Sequence, residues 1–144
     1  MLDHVVALLE ARGLEFERIE NETIATGFTT TLDDGTDQGF PLFIMGIEDG
    51  YGDAYIRFTI VPFIEQPYDG YPSDSYVMVG QINHDLPQLK FAFDADGDLE
   101  LLFDVPADKL DDAEFDKVLQ VLADYAGAYY PELASVVESA RTVL

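Results

Sequence analysis

The stretch FAFDADGDLELLF, residues Phe91–Phe103, decides how the second half of this chain folds. Three aspartates and a glutamate stand within the span Asp94–Glu100, around a single glycine, Gly97. Such a pattern is typical both of a calcium-binding loop and of a tight turn between two β-strands. The two interpretations make different demands on the spacing of the residues.

The calcium interpretation fails on its spacing. An EF-hand loop that begins at Asp94 would have oxygen ligands at Asp96 and Asp98, but its sixth position requires glycine and its twelfth requires glutamate. Those two positions hold Leu99 and Val105. Carboxylates at one bend still attract a cation weakly, but we predict no metal site and no cofactor.

A β-hairpin with the loop Ala95–Gly97 satisfies its own demands. Gly97 supplies the left-handed residue that closes a type I turn in a loop of this length. The loop sets the register, so that apolar residues meet across the strands: Phe93 with Leu99, Phe91 with Leu101, and Leu89 with Phe103. A shorter loop, Asp96–Gly97, would pair Phe93 with Glu100 and mix the two faces. The sequence therefore predicts the hairpin.

Length and composition predict a single domain, residues 1–144. A chain of this length buries roughly two-thirds of its extended surface, and its 48% hydrophobic residues, with 10 Phe and 8 Tyr, argue against disorder. The absence of cysteine excludes disulfides and thiolate metal sites. The first segment, MLDHVVALLEARG, is too short and too charged for a signal peptide or a membrane span, so we expect a cytoplasmic protein without a membrane partner.

The net charge of −22, from 29 acidic and 7 basic side chains, argues against nucleic acid as a partner. So few basic groups cannot replace the counterions of a phosphate backbone. The acids are spread along the whole chain, which is typical of a solvated surface. Two sharper interpretations stay open: adaptation to a salt-rich cytoplasm, and attraction of a basic partner.

Periodicity predicts a helix, four strands and a second helix before the hairpin. An apolar stripe, Leu2, Val5, Val6 and Leu9, indicates a first helix that ends at Gly13. The four strand-like runs are Leu14–Ile19, Thr23–Thr31, Phe40–Ile47 and Asp53–Phe63. The second helix is predicted over Ser75–His84, with Asp74 or Ser73 as its N-terminal cap.

The strongest helix start in the sequence lies at Leu110–Phe115. Asp111 is predicted as the cap, Glu114 completes a capping box, and Leu110 packs on Phe115. Pro131 is predicted to begin a separate last helix. The inward residues of that last helix are predicted to be Leu133, Val136, Val137 and Ala140.

These elements make an α+β layout, an N-terminal helix and an antiparallel sheet with helices packed on one face. Two stretches, INHDLPQLKFAFDADGDLELLFDVP and EFDKVLQVLADYAGAYYPEL, carry a family resemblance. The region Val77–Leu133 resembles the YbjN family of bacterial proteins. The matching features are Asn83, the Asp-Gly hairpin, the sequence DVP that follows the hairpin, and the sequence YYPEL. The resemblance implies a type III secretion chaperone-like fold (α-β-β-β-α-β-β-α), a tendency to dimerise, and a chaperone-like or regulatory role without catalytic residues.

The residues themselves offer no catalytic machinery. The sequence contains no G-x-S-x-G, P-loop, G-x-G-x-x-G or H-E-x-x-H motif. Its two histidines, His4 and His84, have no second histidine or cysteine nearby and are interpreted as surface or capping residues. We therefore predict no catalytic residues and no enzyme.

One segment, VPFIEQPYDGYPSDSY at Val61–Tyr76, is unusual in combining prolines with aromatic rings. Rings held by prolines are rigid anchors for a partner peptide. The alternative is a lid whose rings fold onto the end of the sheet. The candidate partner-binding residues are Phe63, Tyr68, Tyr71 and Tyr76.

Two functions of different classes follow from these observations. The first is a protein-binding module, a chaperone-like or regulatory homodimer that holds a protein or peptide client. The second is a small-ligand or cation-binding domain that uses the acidic turns. Because an antiparallel sheet covered by helices on one side leaves an edge or a face bare, self-association is expected.

Millimolar calcium should leave the melting temperature and the intrinsic fluorescence unchanged beyond the general screening that any strongly acidic protein shows. Isothermal titration calorimetry checks this expectation. A stoichiometric heat of calcium binding that disappears in Asp96→Asn would overturn it.

Overall fold

In a computed structural model, which describes residues 2–20 and 22–142, three α-helices lie on one side of a six-stranded antiparallel sheet. The elements are α1 (Leu2–Ala11), β1 (Glu17–Glu20), β2 (Thr23–Thr31), β3 (Asp37–Glu48), β4 (Ala54–Ile60), α2 (Ser73–Asp85), β5 (Leu89–Phe93), β6 (Leu99–Pro106) and α3 (Asp112–Thr142). The strand order is β1-β2-β3-β4-β6-β5. The α+β class and the order of elements agree with the prediction. The predicted run Leu14–Ile19 forms the short edge strand β1, which is additional only to the α-β-β-β-α-β-β-α order that the resemblance implies.

The predicted hairpin is confirmed in its register. Phe93 lies opposite Leu99, Phe91 opposite Leu101 and Leu89 opposite Phe103. Gly97 has φ 82°, in the left-handed region that favours glycine. The backbone N–H of Asp94 donates to the carbonyl of Asp98 at 2.9 Å and closes the loop.

The core lies between one face of the sheet and the three helices. One row of this face runs across five strands through Ile24, Ile44, Phe58, Phe103 and Leu89, and all of these side chains are buried. Helix α3 adds Phe115, whose ring meets that of Phe58 edge-on at 5.8 Å. Because each helix contributes buried residues to this one cluster, the cluster orders the whole domain.

Helix α1 is joined to the start of α3 by Arg12. Its guanidinium bonds the carboxylates of Asp116 at 2.6 Å and Asp112 at 3.3 Å, and its central carbon lies 4.8 Å above the ring of Phe115. The hydrogen bond from Arg12 lowers the pKa of Asp116. At the end of α1, Gly13 has φ 66° and the N–H of Leu14 donates to the carbonyl of Leu9, as in a Schellman cap.

The predicted cap of α2 is wrong. The helix begins at Ser73, and the cap position is held by Pro72 without a side-chain hydrogen bond. Ser73 and Asp74 instead lie inside the first turn, where the charge of Asp74 is favourable near the positive end of the helix dipole. At α3 the predicted cap is confirmed, because the carboxylate of Asp111 accepts the N–H of Glu114 at 2.8 Å.

The prediction that Pro131 begins a new helix is also wrong, since α3 runs through it without a break from Asp112 to Thr142. A proline inside a helix has no N–H to donate to the carbonyl four residues earlier, here that of Gly127. The N–H of Asp33, at the β2–β3 turn, donates to this carbonyl at 3.0 Å instead. The tertiary contact thereby replaces the hydrogen bond that Pro131 removes. The side chain of Ala140, predicted to point inward, lies outside the part of the chain that the structure describes.

Gly127 is the place where α3 comes closest to the sheet. A Cβ at this position would lie 2.9 Å from the carbonyl oxygen of Thr31. Only glycine therefore permits the approach that brings the Gly127 carbonyl within reach of Asp33. A hydroxyl of Thr30 adds a hydrogen bond to the carbonyl of Ala123 at 3.4 Å, so α3 also covers the end of β2.

Gly127→Ala should destabilise the protein although alanine is the better helix former. The methyl group would force α3 away from Thr31 and weaken the bond between Asp33 and Gly127, so the free energy of unfolding should fall by about 1–3 kcal/mol. Chemical denaturation followed by circular dichroism measures the change.

Gly80→Ala is the matched control, because Gly80 is an exposed helical glycine with no atom within 4 Å of its Cβ position. It should raise the free energy of unfolding by up to about 1 kcal/mol. A Gly127→Ala protein as stable as Gly80→Ala would refute the close-approach account.

Candidate functional site

The second face of the sheet carries no helix among the described residues and is called here the open face. Its middle row holds Ala25, Phe43, Thr59, Leu102 and Lys90, one from each of β2, β3, β4, β6 and β5. Three further large apolar or aromatic positions follow on β3 and β4, and like Phe43 they lie outside the core cluster with partly exposed side chains. These are Met45, Ile47 and Tyr55.

The charges of the open face balance one another on the strands β4, β5 and β6, whereas β3 adds one acid, Asp37, at its first residue. Arg57 donates two hydrogen bonds to the carboxylate of Asp104, each of 2.8 Å, and both side chains are about one-quarter exposed. Glu100 accepts a hydrogen bond from the buried hydroxyl of Thr59 at 3.1 Å, and Lys90 lies in the same row as Thr59. Two basic and two acidic side chains therefore occupy this part of a strongly acidic molecule.

The edge of the sheet at β5 is blocked by a side chain. The amide group of Asn83, on α2, accepts the N–H of Phe91 at 2.7 Å and donates to the carbonyl of the same residue at 2.8 Å. It therefore occupies the hydrogen-bonding groups through which another strand would pair with the middle of β5.

The opposite edge strand, β1, is poorly suited to pairing. It has only four residues, all of them exposed, with a register shift between Arg18 and Glu20. Short, charged and irregular strands resist pairing with another chain. The large surface left without a covering element is therefore the open face rather than an edge.

The aromatic segment Val61–Tyr76 is divided between core and surface. Phe63 is buried and stacks on Phe40 at 5.4 Å. Tyr71 is buried too, and its hydroxyl donates to the carbonyl of Ile64 and accepts the N–H of Leu99. For Phe63 and Tyr71 the anchor interpretation is wrong and the lid alternative applies, because the segment folds both rings onto the end of the sheet.

The other two candidate residues lie at the surface. Tyr68 is fully exposed, and Tyr76 is 49% exposed, with its ring 4.6 Å from the ring of Phe93. A role for Tyr68 and Tyr76 in partner binding stays a prediction.

The acidic turn uses its first carboxylate to close the hairpin. Asp94 accepts the backbone N–H groups of Asp96 and Asp98, each at 2.9 Å. Burial raises the pKa of Asp98, and the negative charges of Asp94, Asp96 and Glu65 raise it further. Within the described ranges, no group of three or more His, Cys, Asp or Glu side chains is arranged to hold a metal ion.

The family comparison agrees with this geometry over almost the whole chain. The model of the YbjN family, described as "Putative bacterial sensory transduction regulator", matches residues 1–135. The chain belongs to the YbjN family. No curated protein matches it significantly.

The family match extends the resemblance from Val77–Leu133 to the first half of the YbjN-family chain. It supports a regulatory or binding role and specifies no ligand or partner. None of the helices in residues 2–20 and 22–142 is long and apolar enough to cross a membrane.

Sequence reasoning missed the open face of this YbjN-family protein as a candidate site. The run FPLFIMGI in β3 carries apolar side chains at both odd and even positions, whereas a strand with one solvated face alternates. That departure from alternation was the available signal. The edge-blocking role of Asn83 had no such signal, because an asparagine near a helix end is common for local reasons.

Asn83→Ala should expose the β5 edge and lower the free energy of unfolding by about 1–3 kcal/mol, because both backbone groups of Phe91 lose their partner. The amide hydrogen of Phe91 should exchange faster with solvent, as nuclear magnetic resonance can follow. His84→Ala, at the exposed neighbouring position, is the control and should change the stability by less than about 0.5 kcal/mol. Unchanged exchange at Phe91 would contradict the role assigned to Asn83.

Proposed function

We propose that this YbjN-family chain is a non-enzymatic regulator of the cytoplasm that binds a polypeptide partner and works as a homodimer paired through its open face. The observation that carries the proposal is the combination of apolar side chains on β3 and β4 with balanced charge on β4 to β6 of that face. The polypeptide partner then binds at the exposed rings of Tyr68 and Tyr76, which lie away from the open face.

Apolar side chains supply the attraction for pairing. Phe43, Met45, Ile47 and Tyr55 lie side by side on β3 and β4 and stay partly exposed in the single chain. Burying such a side chain fully contributes about 1.5–3 kcal/mol relative to leaving it exposed. Contiguous apolar surface of this kind typically marks an interaction site.

The charge distribution favours a second copy as the occupant. Two chains of net charge −22 repel each other wherever their acidic surfaces meet. On the open face, Arg57 and Lys90 offset Asp104 and Glu100. This face can therefore approach its own copy with less repulsion than the surrounding acidic surface.

The size of the open face also suits a dimer. The sheet is six strands wide, and its strands are between 4 and 12 residues long. With strands about 4.8 Å apart and a rise of about 3.3 Å per residue, the footprint is roughly 700 Å² before side-chain relief is counted. A specific interface buries about 800 Å² per partner. The two areas are of the same order.

A second candidate function, the binding of a small ligand or cation by the acidic turns, has less support. The Asp94 carboxylate already accepts two backbone N–H groups within the hairpin. A ligand at this turn would compete with the hydrogen bonds that form it.

Multi-angle light scattering at tens of micromolar should give twice the chain mass of 16.0 kDa, at least at high salt, where the repulsion of the acidic surfaces is screened. Met45→Glu should give a monomer at low and high salt, because it places an additional negative charge of each copy in the apolar part of the interface. Its partly exposed position opposite Arg57 keeps the single chain folded.

Val77→Glu is the matched control, since Val77 is 61% exposed on α2 and lies away from the open face. It should leave the dimer intact. A wild-type monomer at both salt concentrations, or a dimer indifferent to Met45→Glu, would rule out pairing through the open face.

A further inference from the structure

A pair of aromatic rings, one exposed and one half-buried, lies at the end of the molecule where α2 starts and the β5–β6 hairpin turns. Tyr76 and Phe93 have their ring centroids 4.6 Å apart, and the buried ring of Tyr71 supports Phe93 at 5.6 Å. The neighbouring Val77 is exposed as well. Phe93 packs against the core and holds the ring of Tyr76 in place. The side of the Tyr76 ring that faces away from Phe93 has no ring contact among the described residues.

Tyr68 adds a further exposed ring on the same side. It stands in a turn closed by a hydrogen bond from the N–H of Gly70 to the carbonyl of Pro67 at 2.8 Å. The amide of Gln66 lies against both Gly70 and Gly97, so this turn and the hairpin turn are neighbours. Tyr68, Tyr76, Val77 and Phe93 are called here the aromatic end.

The charge around the aromatic end is negative throughout. The ranges 58–89 and 91–108 contain no lysine or arginine. Acidic side chains occur within both segments that build the end: Glu65, Asp69, Asp74, Asp94, Asp96 and Asp98. In contrast to the open face, the two segments themselves hold no lysine or arginine to offset these charges.

We infer that the aromatic end binds an arginine-rich segment of a partner polypeptide. This inference rests on the proposed protein-binding role and names the chemistry of the partner. A guanidinium group stacks on an exposed aromatic face and pairs with carboxylates at the same time. The acids attract the segment from a distance, and the ring pair selects for arginine at contact.

A polypeptide segment fits this surface better than a single small cation does. The exposed rings belong to two separate segments, the 67–70 turn and the start of α2 with the adjoining hairpin. A chain with several arginines can contact these rings and the acidic turn together, and its side-chain stems can cover Val77.

The test is a titration of the full chain into a fluorescent peptide of about ten residues that alternates arginine with alanine, followed by fluorescence anisotropy at about 50 mM salt. The wild type should bind it more tightly than a lysine peptide of the same spacing, and much more tightly than argininamide measured by competition. Tyr76→Ala should weaken binding of the arginine peptide roughly fivefold and reduce the preference for arginine over lysine.

Tyr51→Ala is the matched control, because Tyr51 is an exposed tyrosine between Asp49 and Asp53 at the β3–β4 turn, without a ring contact to a described residue. It should leave the affinity unchanged. Tyr76→Leu keeps an apolar side chain against Phe93 and should also lose the preference for the arginine peptide over the lysine peptide. This result would show that the loss of preference in Tyr76→Ala does not come from unfolding.

Three outcomes would overturn the inference: no binding of the arginine peptide, equal affinity for the arginine and lysine peptides, or equal loss of affinity in Tyr76→Ala and Tyr51→Ala. Light scattering on the same samples separates this inference from the dimer. A dimer that fails to bind the peptide refutes only the aromatic end, whereas a monomer that binds it refutes only the pairing through the open face.

Discussion

The contact between Gly127 and the β2–β3 turn is the constraint on which the arrangement of the domain depends. It lets α3 lie against the end of β2 and gives the carbonyl freed by Pro131 a partner in Asp33. The helix thereby stays continuous and brings Tyr130 edge-on against Phe40 and Phe63, at 5.4 and 5.7 Å. That ring cluster in turn holds Phe63, and with it the start of the Val61–Tyr76 segment, against the core on the same side of the sheet as the helices.

Because the helices cover only one face, the two edges of the sheet and its open face are protected from strand pairing, or left exposed, in different ways. Asn83 occupies the hydrogen-bonding groups at the middle of β5, and β1 is short and exposed. The remaining face keeps apolar side chains, and its charges balance on β4 to β6. Protection of the edges together with an apolar face favours pairing of faces over strand addition.

The two candidate surfaces differ in their electrostatics. On the open face, the basic side chains of Arg57 and Lys90 stand beside Asp104 and Glu100, whereas the two segments that build the aromatic end carry acids and no lysine or arginine. Balanced charge suits an identical copy, and uncompensated negative charge suits a basic partner. The strongly acidic composition is therefore unevenly distributed, and this unevenness distinguishes the roles proposed for the two surfaces.

The sequence alone determined the features that depend on local geometry. The loop Ala95–Gly97 sets the hairpin register because a turn of given length and glycine position allows one alignment of the strands, and Asp111 caps α3 through a contact three residues away. The tertiary structure decided that the helix continues through Pro131 and that Phe63 and Tyr71 are buried. The N–H of Asp33, which takes the carbonyl that Pro131 leaves free, lies far away in the sequence, and so do residues that enclose the two rings. It also decided which face of the sheet stays open, because β3 is apolar on both faces and only the packing of the helices distinguishes them.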